Sequence, residues 1–139
     1  MILRKLEIND YHLGLIELLS QLTDCDNIDF NTFEKQYFKL KNNYNIYVIE
    51  KNNKIIGYGC LYIDYKFYRN CKNVGHIEDI IIDKECRGYG YSKLILNKLI
   101  DISKINNCYK LILMCDSKYI EYYKNFGFNI KGNNMIFNL

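Results

Sequence analysis

The stretch Asp79-Ile80-Ile81-Ile82-Asp83-Lys84-Glu85-Cys86-Arg87-Gly88-Tyr89-Gly90-Tyr91-Ser92-Lys93-Leu94-Ile95-Leu96 limits the possible folds of this chain more than any other. An apolar run with strand character leads into a short polar turn, then Arg-x-x-Gly-x-Ser, then an amphipathic helix. A strand that feeds a helix through glycines builds an anion site. Small residues let the backbone come close to a ligand. The first-turn N–H groups have no intrahelical partner, and the helix dipole places partial positive charge at the same end. A pyrophosphate is the natural guest.

Composition narrows what that guest serves. At 139 residues the chain suits one domain with one sizeable core, and 1–139 is read as a single unit. A net charge of +3 without a long basic run argues against a nucleic-acid partner. The cysteines at 25, 60, 71, 86, 108 and 115 form no CxxC or Cys/His spacing, so no metal is expected. The opening Met1–Leu6 is interrupted by charge rather than continuing as a secretory signal. The reading is therefore cytoplasmic, with reduced cysteines. No run approaches the roughly 18 apolar residues of a membrane span, so no membrane partner is expected.

Periodicity sketches the rest. Ile2–Ile8 alternates as a short strand, and His12–Leu22 reads as a helix. Asn31 or Thr32 caps a second helix to about Lys41, with Phe33, Tyr37 (or Phe38) and Leu40 inward. Asn45–Glu50 and Lys54–Asp64 are strands joined by the turn Lys51-Asn52-Asn53, and Val74–Ile82 is a third long strand. The helix after the glycines runs to about Asn106, with Tyr91, Ile95, Leu99, Ile102 and Ile105 on one face. Lys110–Cys115 is a strand and Ser117–Phe126 a short helix stopped by Gly127. Phe128–Lys131 and Met135–Leu139 read as terminal strands around Asn133-Asn134. The order β-αα-βββ-α-β-α-ββ predicts an α/β fold, a single mixed sheet with helices on both faces.

This order, with Arg87-Gly88-Tyr89-Gly90-Tyr91-Ser92 at the exit of the third long strand, resembles the GNAT acetyltransferase superfamily. Its signature ends in Gly or Ala where this chain has Ser92. Gly75-His76-Ile77-Glu78-Asp79-Ile80 narrows the match, as do Leu19–Thr23, Glu85–Gly88, Asn107–Lys110 and Tyr122-Tyr123-Lys124-Asn125-Phe126-Gly127-Phe128. Together they are similar to the glucosamine-6-phosphate N-acetyltransferases from about residue 11 to the C-terminus. Met114 stands where that family often has an acid, and Tyr119 where it usually has Asn.

The resemblance implies an enzyme that uses acetyl-CoA, with the Arg87, Gly88, Tyr89, Gly90, Tyr91, Ser92 and Lys93 segment holding the pyrophosphate. It implies that the backbone of Ile80, Ile81 and Ile82 pairs with the pantetheine arm like an added strand, and that an N–H near Ile80 faces the thioester oxygen. Tyr123 is the implied acid for the departing thiolate, because a phenol with pKa about 10 can give up a proton there. Tyr122 would then pack inward. Glu78 is placed near the sugar amine as a route for its proton. By the strand period of two, Asp79 points to the other face. Lys66 and Arg69 match the phosphate-binding loop, and Asp116 is a sugar-binding candidate with helix capping as its competing role. His76 reads as a strand-edge residue. The resemblance also implies a homodimer, with Ile130–Leu139 either at the interface or finishing the sheet. A GNAT enzyme for another amine (a peptide N-terminus, a lysine, a polyamine) and a non-catalytic acetyl-CoA-binding module remain as alternatives.

Overall fold

A computed structural model describes residues 1–139. Its centre is one sheet of five strands in the order β1-β2-β3-β4-β5, where β1 is Ile2–Lys5, β2 Tyr44–Lys51, β3 Lys54–Asp64, β4 Asn73–Ile82 and β5 Cys108–Leu113. The first four strands pair antiparallel and β4–β5 is parallel, so the sheet is mixed. The β2–β3 turn uses positive φ at Asn52 and Asn53, which Asn tolerates and a tight hairpin requires.

Helices cover both faces. The long helix α3 (Tyr91–Ile105) buries Ile95, Leu96 and Leu99 against Tyr47, Ile49, Leu61, Ile63, Ile77 and Ile82. Those three helix side chains are fully buried, each contributing roughly 1.5–3 kcal/mol. On the other face, Leu15 and Leu18 of α1 (Leu15–Leu19) pack on Val48, Ile55 and Ile81. Beside them lies α2 (Phe30–Tyr37), and α4 (Ile120–Lys124) follows β5.

Several boundaries depart from the sequence reading. The expected helix from His12 is a 3-10 segment (Ile8–Leu13) and α1, separated by Gly14 in the left-handed region at φ 83°. The cap of α2 is Asp29, whose carboxylate accepts from Thr32 N at 2.7 Å, rather than Asn31 or Thr32. Ile105 is 78% exposed, while Ser103 takes the inner position and donates to the Ile100 carbonyl at 2.6 Å. Phe128–Lys131 and Met135–Leu139 form no strands. Beyond Gly127 the chain has no sheet partner for its backbone groups, and without one an extended segment is not a strand.

Candidate active site

The parallel pairing of β4 and β5 runs only from Asn73↔Cys108 to Ile77↔Leu113. Past Ile77 the β5-facing edge of β4 has no strand beside it. Glu78–Ile82 stays paired to β3 on its other side, with Tyr58↔Ile81 and Gly57↔Ile82. The register shift between Tyr58 and Cys60 is a bulge, and Asp79 sits in it at φ 54°. A left-handed non-glycine residue costs roughly 1–2 kcal/mol, and Asp tolerates it better than most. Opposite the bulge, Gly59 lets α3 approach: a Cβ there would stand 2.5 Å from Ile95 Cγ2. Glu78 and Asp79 are both exposed, and the bulge interrupts the strict period of two on which the opposite-face reading rests.

The open edge leads straight into the glycine loop. Gly88 and Gly90 take φ of 85° and 79°, with no atom within 4 Å of where a Cβ would sit. The N–H groups from Gly88 to Lys93 have no protein acceptor, the first backbone bond being Leu94 N to Gly90 O at 3.2 Å. This arrangement fits a diphosphate: an open concave backbone with free donors at a helix N-terminus. Several side chains brace the loop. Arg87 Nε donates to the Ile82 carbonyl at 3.1 Å, so its side chain folds back onto the strand end. Asp83, buried, accepts from Lys54 Nζ at 2.7 Å and from Glu85 N at 3.1 Å. Lys84 N donates to Gln21 Oε1 at 3.0 Å, tying the loop to the turn after α1. The Lys54 ammonium holds the Asp83 carboxyl below the usual carboxylate range. The sequence reading missed Asp83, although an Asp between a strand and a turn carries the signature of a capping residue.

On the other side of the cleft, α4 presents Tyr122 and Tyr123. The Tyr122 hydroxyl donates to Ser92 Oγ at 3.0 Å and so bridges α4 to the first turn of α3. Tyr123 packs edge-on to Tyr122 at 5.1 Å and to Phe128 at 5.9 Å, and its hydroxyl makes no protein hydrogen bond. Burial first, then the neighbouring Tyr122, pushes the Tyr123 phenol up to about 12, so it is a neutral O–H donor near pH 7. A hydroxyl that is half-buried, protonated and unpartnered is equipped to protonate a leaving group.

A groove of about 410 Å³ on the α1 side of the sheet is lined by Tyr44, Tyr62, Asp64, His76 and Glu78. Tyr44 pairs with Tyr62 and Tyr62 with His76 across adjacent strands, with ring centroids 5.0 and 6.0 Å apart. Of these five residues only Glu78 was singled out as a site residue from sequence; cross-strand register, not chain spacing, assembles the rest. Lys66 is held by Asp64 at 2.6 Å, and His76 Nε2 lies 3.4 Å from the same carboxylate. Arg69 stacks over the Tyr109 ring at 4.6 Å. It begins a left-handed turn, Arg69-Asn70-Cys71, with φ of 53°, 55° and 58°. Such a run of non-glycine residues stores backbone strain, a feature that clusters at functional sites. Asp116 precedes the 3-10 turn Ser117–Tyr119 but makes no side-chain cap bond, so the capping role weighed for it is not taken up.

The chain matches the acetyltransferase (GNAT) family over residues 14–128. It is 36% identical to the glucosamine 6-phosphate N-acetyltransferase of Arabidopsis thaliana, across 96% of this chain and 93% of that protein. A relative from Dictyostelium discoideum, glucosamine 6-phosphate N-acetyltransferase 1, is 36% identical across 95% of this chain and 87% of its own length. The crystal structure of the Arabidopsis thaliana enzyme superposes with a TM-score of 0.94 at 35% identity, covering 99% of this chain and 97% of that one. An open β4 edge, a glycine cradle and a poised tyrosine are thus found in a chain that belongs to the GNAT acetyltransferases and, within them, to the glucosamine 6-phosphate N-acetyltransferase family.

Proposed function

We propose that this protein transfers the acetyl group of acetyl-CoA to the amine of glucosamine 6-phosphate, giving N-acetylglucosamine 6-phosphate for UDP-N-acetylglucosamine synthesis in the cytoplasm. The observation that carries the reading is the loss of β4–β5 pairing after Ile77, beside a loop whose six N–H groups from Gly88 to Lys93 lack acceptors. A pantetheine arm completes the open edge of Ile80–Ile82 as an added strand, while its diphosphate takes the free donors.

The amine nitrogen attacks the thioester carbonyl carbon, and the oxygen that becomes negative is met by a backbone N–H near Ile80. As the tetrahedral species collapses, the C–S bond breaks and Tyr123 gives its proton to the sulfur. Glu78 takes the proton from the amine, through water where the distance requires it. Asp79 and Asp116 hold sugar hydroxyls, and Lys66 and Arg69 meet the phosphate. For Lys66 this means exchanging Asp64 for the substrate as its anionic partner. No metal enters the reaction.

The reading includes a pair of copies, with residues 1–139 acting as one unit in each. Met135, Ile136, Phe137 and Leu139 are at least 76% exposed, and Phe67, on the loop that carries Lys66 and Arg69, is 97% exposed. Apolar surface of that kind supports contact with a second copy, which would sit close to the acceptor site. A polyamine acceptor is the second reading. It is favoured by the two carboxylates, Asp64 and Glu78, on the groove and by the pairing of Lys66 with Asp64. Incubation with acetyl-CoA and glucosamine 6-phosphate, followed by mass spectrometry, should show the phosphosugar heavier by one acetyl group. An unmodified phosphosugar beside acetylated spermidine would replace the first reading with the second.

A further inference from the structure

Tyr89 is the middle residue of the cradle, and its ring is 74% exposed. An exposed tyrosine between two glycines has no packing role of its own. It is nevertheless oriented: its ring lies 6.0 Å from Tyr91 at an interplanar angle of 30°, a near-parallel stack. Tyr91 is half-buried and packs against the core, so it backs the exposed Tyr89 ring with a held surface. On the hairpin between β2 and β3, Lys51 places its Nζ 5.9 Å from the Tyr91 centroid and has no acidic partner. The other hairpin lysine, Lys54, is already committed to Asp83.

Connectivity brings a purine to this place. A coenzyme whose diphosphate lies on the amides of Gly88–Lys93 carries its adenosine directly on that diphosphate. The base must therefore lie within one nucleotide's reach of the loop that bears Tyr89. Every base has a π-face, and stacking on an aromatic side chain needs no further recognition. A ring held by a second ring loses less freedom on binding than a lone side chain would. We infer that Tyr89, backed by Tyr91, is the stacking surface for the coenzyme's adenine, and that Lys51 supplies the cation for its 3′-phosphate. On this account the chain selects the nucleotide end of its donor and not only the pantetheine and diphosphate. The inference rests on acetyl-CoA being the donor.

Truncated coenzymes test it without reference to the acceptor. Titration calorimetry of the whole protein would compare CoA, 3′-dephospho-CoA and 4′-phosphopantetheine. Tyr89→Ala should weaken CoA and 3′-dephospho-CoA about 10-fold, so that their advantage over 4′-phosphopantetheine shrinks by that factor. Tyr89→Phe, which keeps the ring face, should restore the advantage. Lys51→Ala should weaken CoA several-fold and remove its advantage over 3′-dephospho-CoA. An unchanged affinity ladder in Tyr89→Ala, or an equal loss for all three compounds, would overturn the stacking role. An unchanged ratio of CoA to 3′-dephospho-CoA in Lys51→Ala would overturn the phosphate role. Absence of CoA binding by the unaltered protein would instead bring down the donor reading, and this inference with it.

Discussion

The coenzyme side and the acceptor side of the cleft are built in different ways. On the coenzyme side, one continuous stretch from β4 through the glycine loop into α3 supplies the edge, the donors and the helix. Its apolar residues Ile81, Ile82, Ile95, Leu96 and Leu99 are all buried in the same chain. On the acceptor side, the groove residues come from β2, β3 and β4. The flanking loop is a strained left-handed turn, its Phe67 is exposed, and so are the tail residues Met135, Ile136 and Phe137. One half is closed by local sequence and the other is left open by it. On the function proposed above, the donor side is complete within a single chain, whereas the apolar surface exposed beside the acceptor side is what a second copy would cover.

Changes on the coenzyme side should alter rate or coenzyme affinity whatever the assembly state. Tyr123→Phe should lower kcat by about 100-fold, the smaller end of what one general acid supplies, with coenzyme affinity within twofold. A normal kcat in that variant would remove Tyr123 as the acid. On the acceptor side, placing charge in the exposed tail should act through assembly. The double change Ile136→Asp and Phe137→Asp should yield a monomer by sedimentation, with acetyl transfer down by about 30-fold and coenzyme affinity unaltered. A fully active monomer would break the contrast between the halves. A more local probe is Lys66→Ala. It should raise KM for glucosamine 6-phosphate about 10-fold, the loss of one charged hydrogen bond, without changing KM for acetyl-CoA.

The smallest effect concerns acid. In the folded protein the Asp83 carboxyl is held low by Lys54, so its contribution to stability is present above the unfolded pKa of about 3.9. That contribution is lost as the pH falls through the lower folded value. Thermal melts of Asp83→Asn against the parent should therefore differ near neutral pH and converge below about pH 4. Parallel curves at every pH would mean that the pair does not anchor the loop.

What could be read from the sequence follows the same division. The strand, glycine loop and helix were legible because each lies within one short window, as was the Asn52-Asn53 turn, whose residues tolerate positive φ. The bulge at Asp79 was not legible, because it arises where β4 meets Gly59 of β3 and Ile95 of α3, far apart in sequence. Gly14 splits a periodic run that looks like one helix, since a single left-handed residue leaves the apolar spacing intact. The aromatic row of Tyr44, Tyr62 and His76 exists only once strand register is set. The terminal strands failed for a related reason: Met135–Leu139 has the alternation and residue types of a strand, and alternation does not supply a partner.

The most direct test is thiol release from acetyl-CoA with glucosamine 6-phosphate, measured beside glucosamine, spermidine and a lysine peptide. The account predicts turnover with glucosamine 6-phosphate that exceeds the other three by at least about 100-fold in kcat/KM, because only that acceptor engages both the carboxylates and the cationic loop. Equal or faster turnover of spermidine or the peptide would contradict it, leaving the fold and the acetyl-CoA cleft in place but assigning the groove to a different amine.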